Sequence, residues 1–176
     1  MALRTMPVRI IGCGNHDRGD DAAGLLVARR LRTLGVEAHT IQVIERSGES
    51  FSLMDGWTGV EEVIVVDATV PRGSPGLVRV WNAHADTLPE DFSRCSTHAF
   101  GVREAVELAR AMNHLPQTLL IYGIEGKQFC QGAPISSEVD CAVAFVAECL
   151  FTRVSNSSIE APQNLFFSPE PPDSTR

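Results

Sequence analysis

Three aspartates lie in a glycine-rich segment near the start of the chain, residues 12–24 (GCGNHDRGDDAAG). The segment follows a short apolar stretch and opens a helix, and in an open α/β sheet this is the junction where ligands usually bind. The carboxylates of Asp17, Asp20 and Asp21 would repel a phosphate, whereas they suit a cation. The segment therefore predicts cation chemistry at the end of the first strand.

Two further residues have the same kind of placement at the end of an element. Asp67 ends an apolar run, residues 63–66, and His98 opens an amphipathic helix after Ser96 and Thr97. A carboxylate that ends a buried strand needs a partner, because burying it alone is costly, and imidazole is a common metal ligand. An acid of the first loop, Asp67 and His98 together predict a metal site.

Three short motifs give the chain a family resemblance. The pattern Gly-x-Gly-Asn, four residues, then Asp-Asp-x-x-Gly runs from Gly12 to Gly24, and it is followed by VDA at 66–68 and STHAFG at 96–101. In their order and spacing these motifs resemble those of the hydrogenase maturation endopeptidases, the nickel-dependent processing proteases of nickel–iron hydrogenases. The resemblance covers residues 7–150, which we expect to form the protease domain.

The resemblance implies a site and a reaction. The first metal carboxylate of the family falls on Asp21, so Asp21, Asp67 and His98 are the implied metal-binding and catalytic residues. The implied reaction is removal of a C-terminal extension from a nickel-loaded precursor of a hydrogenase large subunit. Nickel is expected to come with this precursor, and oxygen and imidazole ligands suit nickel as well as zinc. The metal could polarise the scissile carbonyl or a water, or only position the peptide.

Two functions of other classes stay open at the level of the sequence. The chain could be a non-catalytic nickel-sensing or chaperone module that binds the same precursor. It could also be an oxidoreductase whose glycines bind a nucleotide, with Glu45 as the ribose-binding acid. The dinucleotide pattern Gly-x-Gly-x-x-Gly would place glycine at position 17, where this chain has Asp17, and an acidic loop disfavours a pyrophosphate.

Other polar residues near these motifs have plainer interpretations. Asp20 is expected to cap the first helix, where its charge also suits the helix dipole, and Asp17 is expected to be solvated. Cys13 matches no functional residue of the family and is interpreted as a small buried residue. His16 could line the same cleft, but its removal should cost much less than removal of His98. The remaining histidines are expected to be ordinary: His39, His84 and His114.

The turn after the second strand departs from the family pattern. The family often has Asp there, followed by a turn of small residues, whereas this chain has Glu45-Arg46-Ser47-Gly48-Glu49. The carboxylate is retained with one more methylene, and the small turn is changed. We therefore predict that Glu45 and Arg46 influence substrate recognition, with Arg46 available to pair with an acidic group of the partner.

Strand and helix patterns alternate along the chain, which predicts an α/β fold with helices on both faces of a sheet. The resemblance adds one antiparallel strand, so the expected fold is a three-layer α/β/α domain with a twisted, mostly parallel, mixed sheet of about five strands. The patterns predict strands over 8–12, 36–44, 60–67, 76–81 and 118–123, and helices over 20–34, 50–57, 98–113 and 136–150.

Composition narrows the class of protein. The 176 residues carry a net charge of -7, which argues against non-specific nucleic-acid binding. Five cysteines without a Cys-x-x-Cys pair favour a reducing cytoplasm over a disulfide framework, and no stretch is long and apolar enough to predict a membrane span. Residues 151–176 are rich in Pro and Ser and are expected to form a disordered tail, whose only apolar cluster is 165–167.

Overall fold

The computed structural model describes residues 7–37, 40–92 and 100–155, and these residues contain one five-stranded sheet. The strands lie in the order β2-β1-β3-β5-β4. β4 runs antiparallel to β5, and the other three neighbouring pairs are parallel. The strands are β1 (Val8–Cys13), β2 (Ile41–Arg46), β3 (Glu62–Thr69), β4 (Val78–Asn82) and β5 (Thr118–Glu125). The expected mixed, mostly parallel sheet is confirmed.

Four α-helices in the described part of the chain cover the two faces of this sheet. They are α1 (Ala23–Thr33), α2 (Ser50–Trp57), α3 (Val102–Ala111) and α4 (Ser137–Ser155). α1 and α4 pack against each other on one face, while α2 and α3 pack on the other. The arrangement is the expected three-layer α/β/α sandwich. None of these helices has the length and apolar content needed to cross a bilayer.

Each strand contributes to two apolar cores because successive side chains point to opposite faces. Ile10, Ile64 and Leu120 are buried under α1 and α4, whereas Ile11 and Val65 are buried under α2 and α3. The central strands are therefore apolar almost throughout, as parallel strands covered on both faces must be. This alternation also decides which polar residues at the strand ends can meet.

A close backbone contact fixes the junction between β1 and α1. A Cβ atom on Gly12 would lie 2.2 Å from the carbonyl oxygen of Gly24, and one on Gly24 would lie 2.1 Å from the carbonyl oxygen of Val66. Gly14 has a φ of +134°, a backbone conformation that residues other than glycine rarely adopt. The glycine motif therefore serves close packing and a sharp turn, and its first and last glycines leave no space for a side chain.

Several element boundaries differ from the sequence-based expectations. The predicted first helix starts as a 3₁₀ turn over Gly19–Ala22, and the second strand ends at Arg46. The helical periodicity of residues 98–113 favours a core position for Met112, but this residue is 49% exposed. α4 continues to Ser155, because Val154 extends the buried face of the helix and is itself buried. The first five residues of the predicted tail are thus helical, and the tail prediction otherwise falls on residues 156–176, outside the described part.

Candidate active site

One row of residues crosses the carboxyl end of the sheet and points to a single face. The registers pair Cys13 with Arg46, Gly12 with Val66, Asp67 with Gly123, and Gly123 with Arg79. Residues in one row share a face, and this face is the one covered by α2 and α3. Described from one edge to the other, the row is Arg46, Cys13, Asp67, Gly123 and Arg79.

Asp67 and Asp21 form a buried acidic pair at this edge. β3 supplies Asp67, which is 6% exposed, and the 3₁₀ turn after β1 supplies Asp21, which is 8% exposed. The turn is tight because Gly14 bends the chain back, and the Asn15 amide donates to the backbone oxygen of Asp21. The strand end and the turn thereby bring together two of the three residues predicted as metal ligands.

Burial disfavours the charged form of both acids. Burial and then the charge of Asp21 raise the pKa of Asp67 to about 8, although the Ala68 amide, which donates to Oδ1 over 2.9 Å, opposes this rise. Burial also raises the pKa of Asp21, against the Arg18 guanidinium and the Asn15 amide. Two buried carboxylates, one of which raises the pKa of the other, form the kind of site that a divalent cation stabilises.

Cys13 ends β1, beside the strand that carries Asp67 and ahead of the turn that carries Asp21, and the structure confirms it as a small buried residue. Burial raises the pKa of the Cys13 thiol well above its usual value, and the charges of Asp67 and Asp21 act in the same direction, against Arg46. A thiol in such surroundings stays protonated, whereas nucleophilic cysteines have depressed pKa values. Cys13 therefore contributes packing and not a nucleophile.

Asp20, the neighbour of Asp21, has a different role from the expected helix cap. The 3₁₀ turn has no side-chain cap, and the fully buried Asp20 carboxylate instead accepts bonds from the loop after β5. Its Oδ2 accepts the Lys127 and Gln128 amides over 2.7 and 3.0 Å, and Ser136 donates from both its amide and its hydroxyl. Asp20 therefore anchors the loop that leads to α4.

Glu45 faces away from the acidic pair, and its predicted influence on substrate recognition stays a prediction. Its partner in the register is Gly12, one position before the row that holds Asp67, so its side chain lies on the α1 face. Burial would raise the pKa of Glu45, but hydrogen bonds from Arg29 and Arg32 outweigh it and lower the pKa. The carboxylate thus ties β2 to α1.

Glu125, a further buried acid at this edge, was missed by the sequence analysis. It ends β5, is fully buried, and accepts the Arg72 and Ser74 amides over 2.7 Å each at Oε1. Arg79 lies 3.5 Å from its Oε2. The available signal was its placement, because Glu125 follows a buried strand just as Asp67 does.

Two of the other histidines have partners of their own. His16 is exposed and lies 3.3 Å from Asp17, which is exposed as expected. His84 shares a hydrogen bond with the carbonyl oxygen of Pro116. The predictions for His39 and His98 lie outside the described residues.

The chain two residues beyond His98 is attached to the carboxyl edge of the sheet. The backbone amide of Ser50, at the start of α2, donates to the carbonyl oxygen of Phe100 over 3.2 Å, and its hydroxyl donates to Gly101 over 2.9 Å. The Glu104 carboxylate accepts the Gly101 amide over 2.9 Å and closes the start of α3. The start of α3 is thereby fixed beside the start of α2.

The ligand atoms at this edge of the sheet supply only part of what a divalent cation needs. Two buried carboxylates supply oxygen ligands and two negative charges. Across 7–37, 40–92 and 100–155, no three histidine, cysteine or acidic side chains come together as a complete metal site. Asp21 and Asp67 therefore supply part of a coordination sphere, with room for ligands from elsewhere.

Comparisons with known proteins agree with one another. The family model described as hydrogenase maturation protease (HycI) matches residues 25–153. The structure of the NiFe hydrogenase maturation protease HycI from Thermococcus kodakarensis KOD1 is 24% identical, with 86% of this chain and 94% of that one covered and a TM-score of 0.66. The maturating endopeptidase HybD from E. coli is 16% identical, with 88% and 96% covered and a TM-score of 0.69. No curated protein matches the sequence.

Proposed function

Because the chain belongs to the hydrogenase maturation protease family, whose members are endopeptidases acting on hydrogenase large-subunit precursors, we propose the following reaction for it. The protein removes the C-terminal extension of a nickel–iron hydrogenase large-subunit precursor that already carries nickel. The nickel belongs to the substrate and is not a resident cofactor. The free thiols of Cys13, Cys130, Cys141 and Cys149 agree with a cytoplasmic site for this reaction.

The observation that carries this proposal is the buried pair Asp21 and Asp67. Each comes from the end of a different element, and each is more than nine-tenths buried at the edge where α/β folds bind ligands. Asp20 and Glu125, the other buried acids at this edge, have their hydrogen bonds within the chain. In the Asp21–Asp67 pair, burial still raises the pKa of both carboxyls, so a bound cation would offset the free-energy cost of burying their charges.

We assign Asp21, Asp67 and His98 as the groups that hold the substrate's nickel. Two carboxylates and one neutral imidazole would balance the charge of a divalent ion and leave positions for the precursor's own ligands. Cleavage adds water across the scissile peptide, so the carbonyl carbon gains a hydroxyl and the leaving nitrogen gains a proton. The protonated, buried Cys13 is unsuited to replace that water as the nucleophile.

The direct test is cleavage of a purified precursor in nickel-loaded and nickel-free forms. The wild-type protein should shorten only the loaded form, and Asp21→Asn, Asp67→Asn and His98→Ala should each lose most of this activity. Circular dichroism should show that all three variants fold, since none of the substitutions removes apolar core. His16→Ala and Asp17→Asn, at exposed positions of the same loop, are the matched controls and should keep most of the activity.

The outcomes also separate protease from chaperone. Wild-type protein that binds the loaded precursor without cutting it would support a nickel-sensing module and exclude the proposed reaction. Cutting by His98→Ala at the wild-type rate would remove His98 from the site. A nucleotide-dependent oxidoreductase is disfavoured because Asp17 stands where the dinucleotide motif has its third glycine, and because the buried carboxylates of Asp21 and Asp67 would repel a pyrophosphate.

A further inference from the structure

A polar cavity of about 240 Å³ opens beside the acidic pair, on the same face of the sheet. Thr69, one of its lining residues, is the next residue after Asp67 along β3 to point to that face. Two positions along a strand span about 7 Å, which equals about two residues of extended peptide. The lining residues are Thr69, Val70, Arg72, Arg79, Trp81, Pro89 and Phe92.

Two arginines and two aromatic rings give this cavity its chemistry. The rings of Trp81 and Phe92 meet edge to face with centroids 5.3 Å apart. The Arg72 and Arg79 side chains are 45% and 37% exposed, so both guanidinium groups reach solvent. A guanidinium presents donors in a planar fork that matches a carboxylate.

The buried Glu125 carboxylate positions both arginines. Its Oε1 accepts the backbone amides of Arg72 and Ser74, which fixes the loop that carries the Arg72 side chain. Its Oε2 lies 3.5 Å from Arg79, a long contact that leaves most of the Arg79 donors available. A charged group with no exposure thus holds two arginines at a preformed opening.

The other carboxylate that touches this pair is replaceable. Arg72 pairs with Asp91, and both side chains are at least 40% exposed. Ion pairs with such exposure contribute little to stability, so a ligand carboxylate can take the place of Asp91 at small cost. Arg79 keeps its contact to Glu125 and still has N–H groups free to point into the cavity.

We propose that Arg72 and Arg79 form a subsite for a carboxylate of the peptide being cut, two or three residues from the scissile bond. This inference rests on the proposed function, because the distance is counted from Asp67. The carboxylate has two possible sources, an acidic side chain or the free C-terminus of a very short extension. In both cases Glu125 is a positioning residue, since it acts through the arginines.

Binding of synthetic octapeptides tests the subsite without nickel and without cleavage. The peptides carry one Asp or one Asn in an Ala-Ser background, with a free or an amidated C-terminus, and calorimetry gives their affinities. The wild-type protein should bind a carboxylate-bearing peptide at least about tenfold more tightly than its amide counterpart, which is about 1.4 kcal/mol. Preference for Asp identifies the side chain as the source, whereas preference for the free terminus identifies the C-terminus.

Substitutions then assign that preference to the arginines. Arg72→Ala should abolish it, and Arg79→Lys, which keeps the charge beside Glu125 but loses the fork, should reduce it at least about threefold. Arg30→Ala removes an exposed arginine from α1 and should change nothing. Equal binding of acid and amide peptides, no binding at all, or an unchanged preference in Arg72→Ala would overturn the subsite.

Cleavage of the nickel-loaded precursor separates this inference from the proposed function. With Arg72→Ala, the KM for the precursor should rise at least about fivefold while kcat changes less than twofold. If the wild-type protein does not cut, the proposed function fails even where the peptide preference is observed. If it cuts and no peptide preference is found, the subsite alone is wrong.

Discussion

Asp20 and Asp21 are adjacent in sequence and both buried, but their surroundings differ. Asp20 accepts hydrogen bonds from Lys127, Gln128 and Ser136, so its charge is solvated by the protein itself. Asp21 faces Asp67, and burial raises the pKa of both. A buried acid with enough donors stabilises a fold, whereas a pair of buried acids costs stability until a cation binds. The difference between a structural and a functional carboxylate lies in the donors around it.

The largest effect on stability is expected from breaking the satisfied carboxylate. Asp20→Ala leaves the amides of residues 127, 128 and 136 without their acceptor in a buried place, and we expect a loss of about 3–5 kcal/mol in unfolding free energy. Urea denaturation measures the loss. Asp17→Ala is the matched control, because that side chain is 58% exposed and should change stability by less than about 0.5 kcal/mol. A loss below about 1 kcal/mol in Asp20→Ala would mean that the loop after β5 is held by other contacts.

The opposite change is expected when the costly carboxylate is removed. Asp67→Asn keeps the shape of the side chain and removes an ionisable group whose pKa in the folded protein is raised to about 8, so that the folded state no longer has to take up a proton at neutral pH. We expect unfolding free energy at pH 7 to rise by about 2–4 kcal/mol, while cleavage of the loaded precursor is lost. Thermal unfolding and the cleavage assay on the same preparation give both quantities. A destabilised Asp67→Asn protein would show that this acid is structural, as Asp20 is.

The pH dependence of stability sharpens the same contrast. The folded pKa of Asp67, about 8, lies above the unfolded value of 3.8, so the folded state binds the proton more tightly. The wild-type protein should therefore lose stability relative to Asp67→Asn as pH rises from about 4 to about 8, and lose no more above that range. Denaturation midpoints of the two proteins at pH 5, 6, 7 and 8 test this. Parallel curves would indicate that Asp67 is ionised throughout.

The fold and much of the candidate site could be predicted from the sequence because both depend on local patterns. Alternating strands and helices imply a sheet whose carboxyl edge gathers Asp21 and Asp67, whatever the finer contacts. The distinct roles of Asp20 and Asp21 could not be predicted, since the donors to Asp20 come from a loop more than a hundred residues away. The prediction for His98 stays untested by the structure.

The positions of Glu45 and Glu125 could not be predicted because they depend on where two strands end. The predicted second strand stopped at residue 44, whereas β2 continues to Arg46 and pairs Glu45 with Gly12. Because side chains alternate along a strand, one residue of register decides the face, and Glu45 lies on the side of α1. Glu125 escaped notice for a similar reason, since the predicted fifth strand ended at 123, two residues too early.

The smallest effect is expected from substitution of Glu45. This substitution tests whether substrate recognition depends on which face of the sheet a side chain occupies or only on its closeness to the sheet edge. Glu45→Ala breaks the ion pairs with Arg29 and Arg32, which are partly exposed, so we expect a loss of about 0.5–1 kcal/mol at pH 7. Because the folded pKa of Glu45 is lowered, this contribution should be present above the unfolded pKa of about 4.3 and fade as pH falls through and below that value. Cleavage should be unchanged within about twofold, since the side chain lies across the sheet from Asp67. Arg46→Gly, at the next position and on the face of Asp67, is the informative comparison: a fall in cleavage with Arg46→Gly alone would assign recognition to the face, whereas a fall in both variants would assign it to the whole turn.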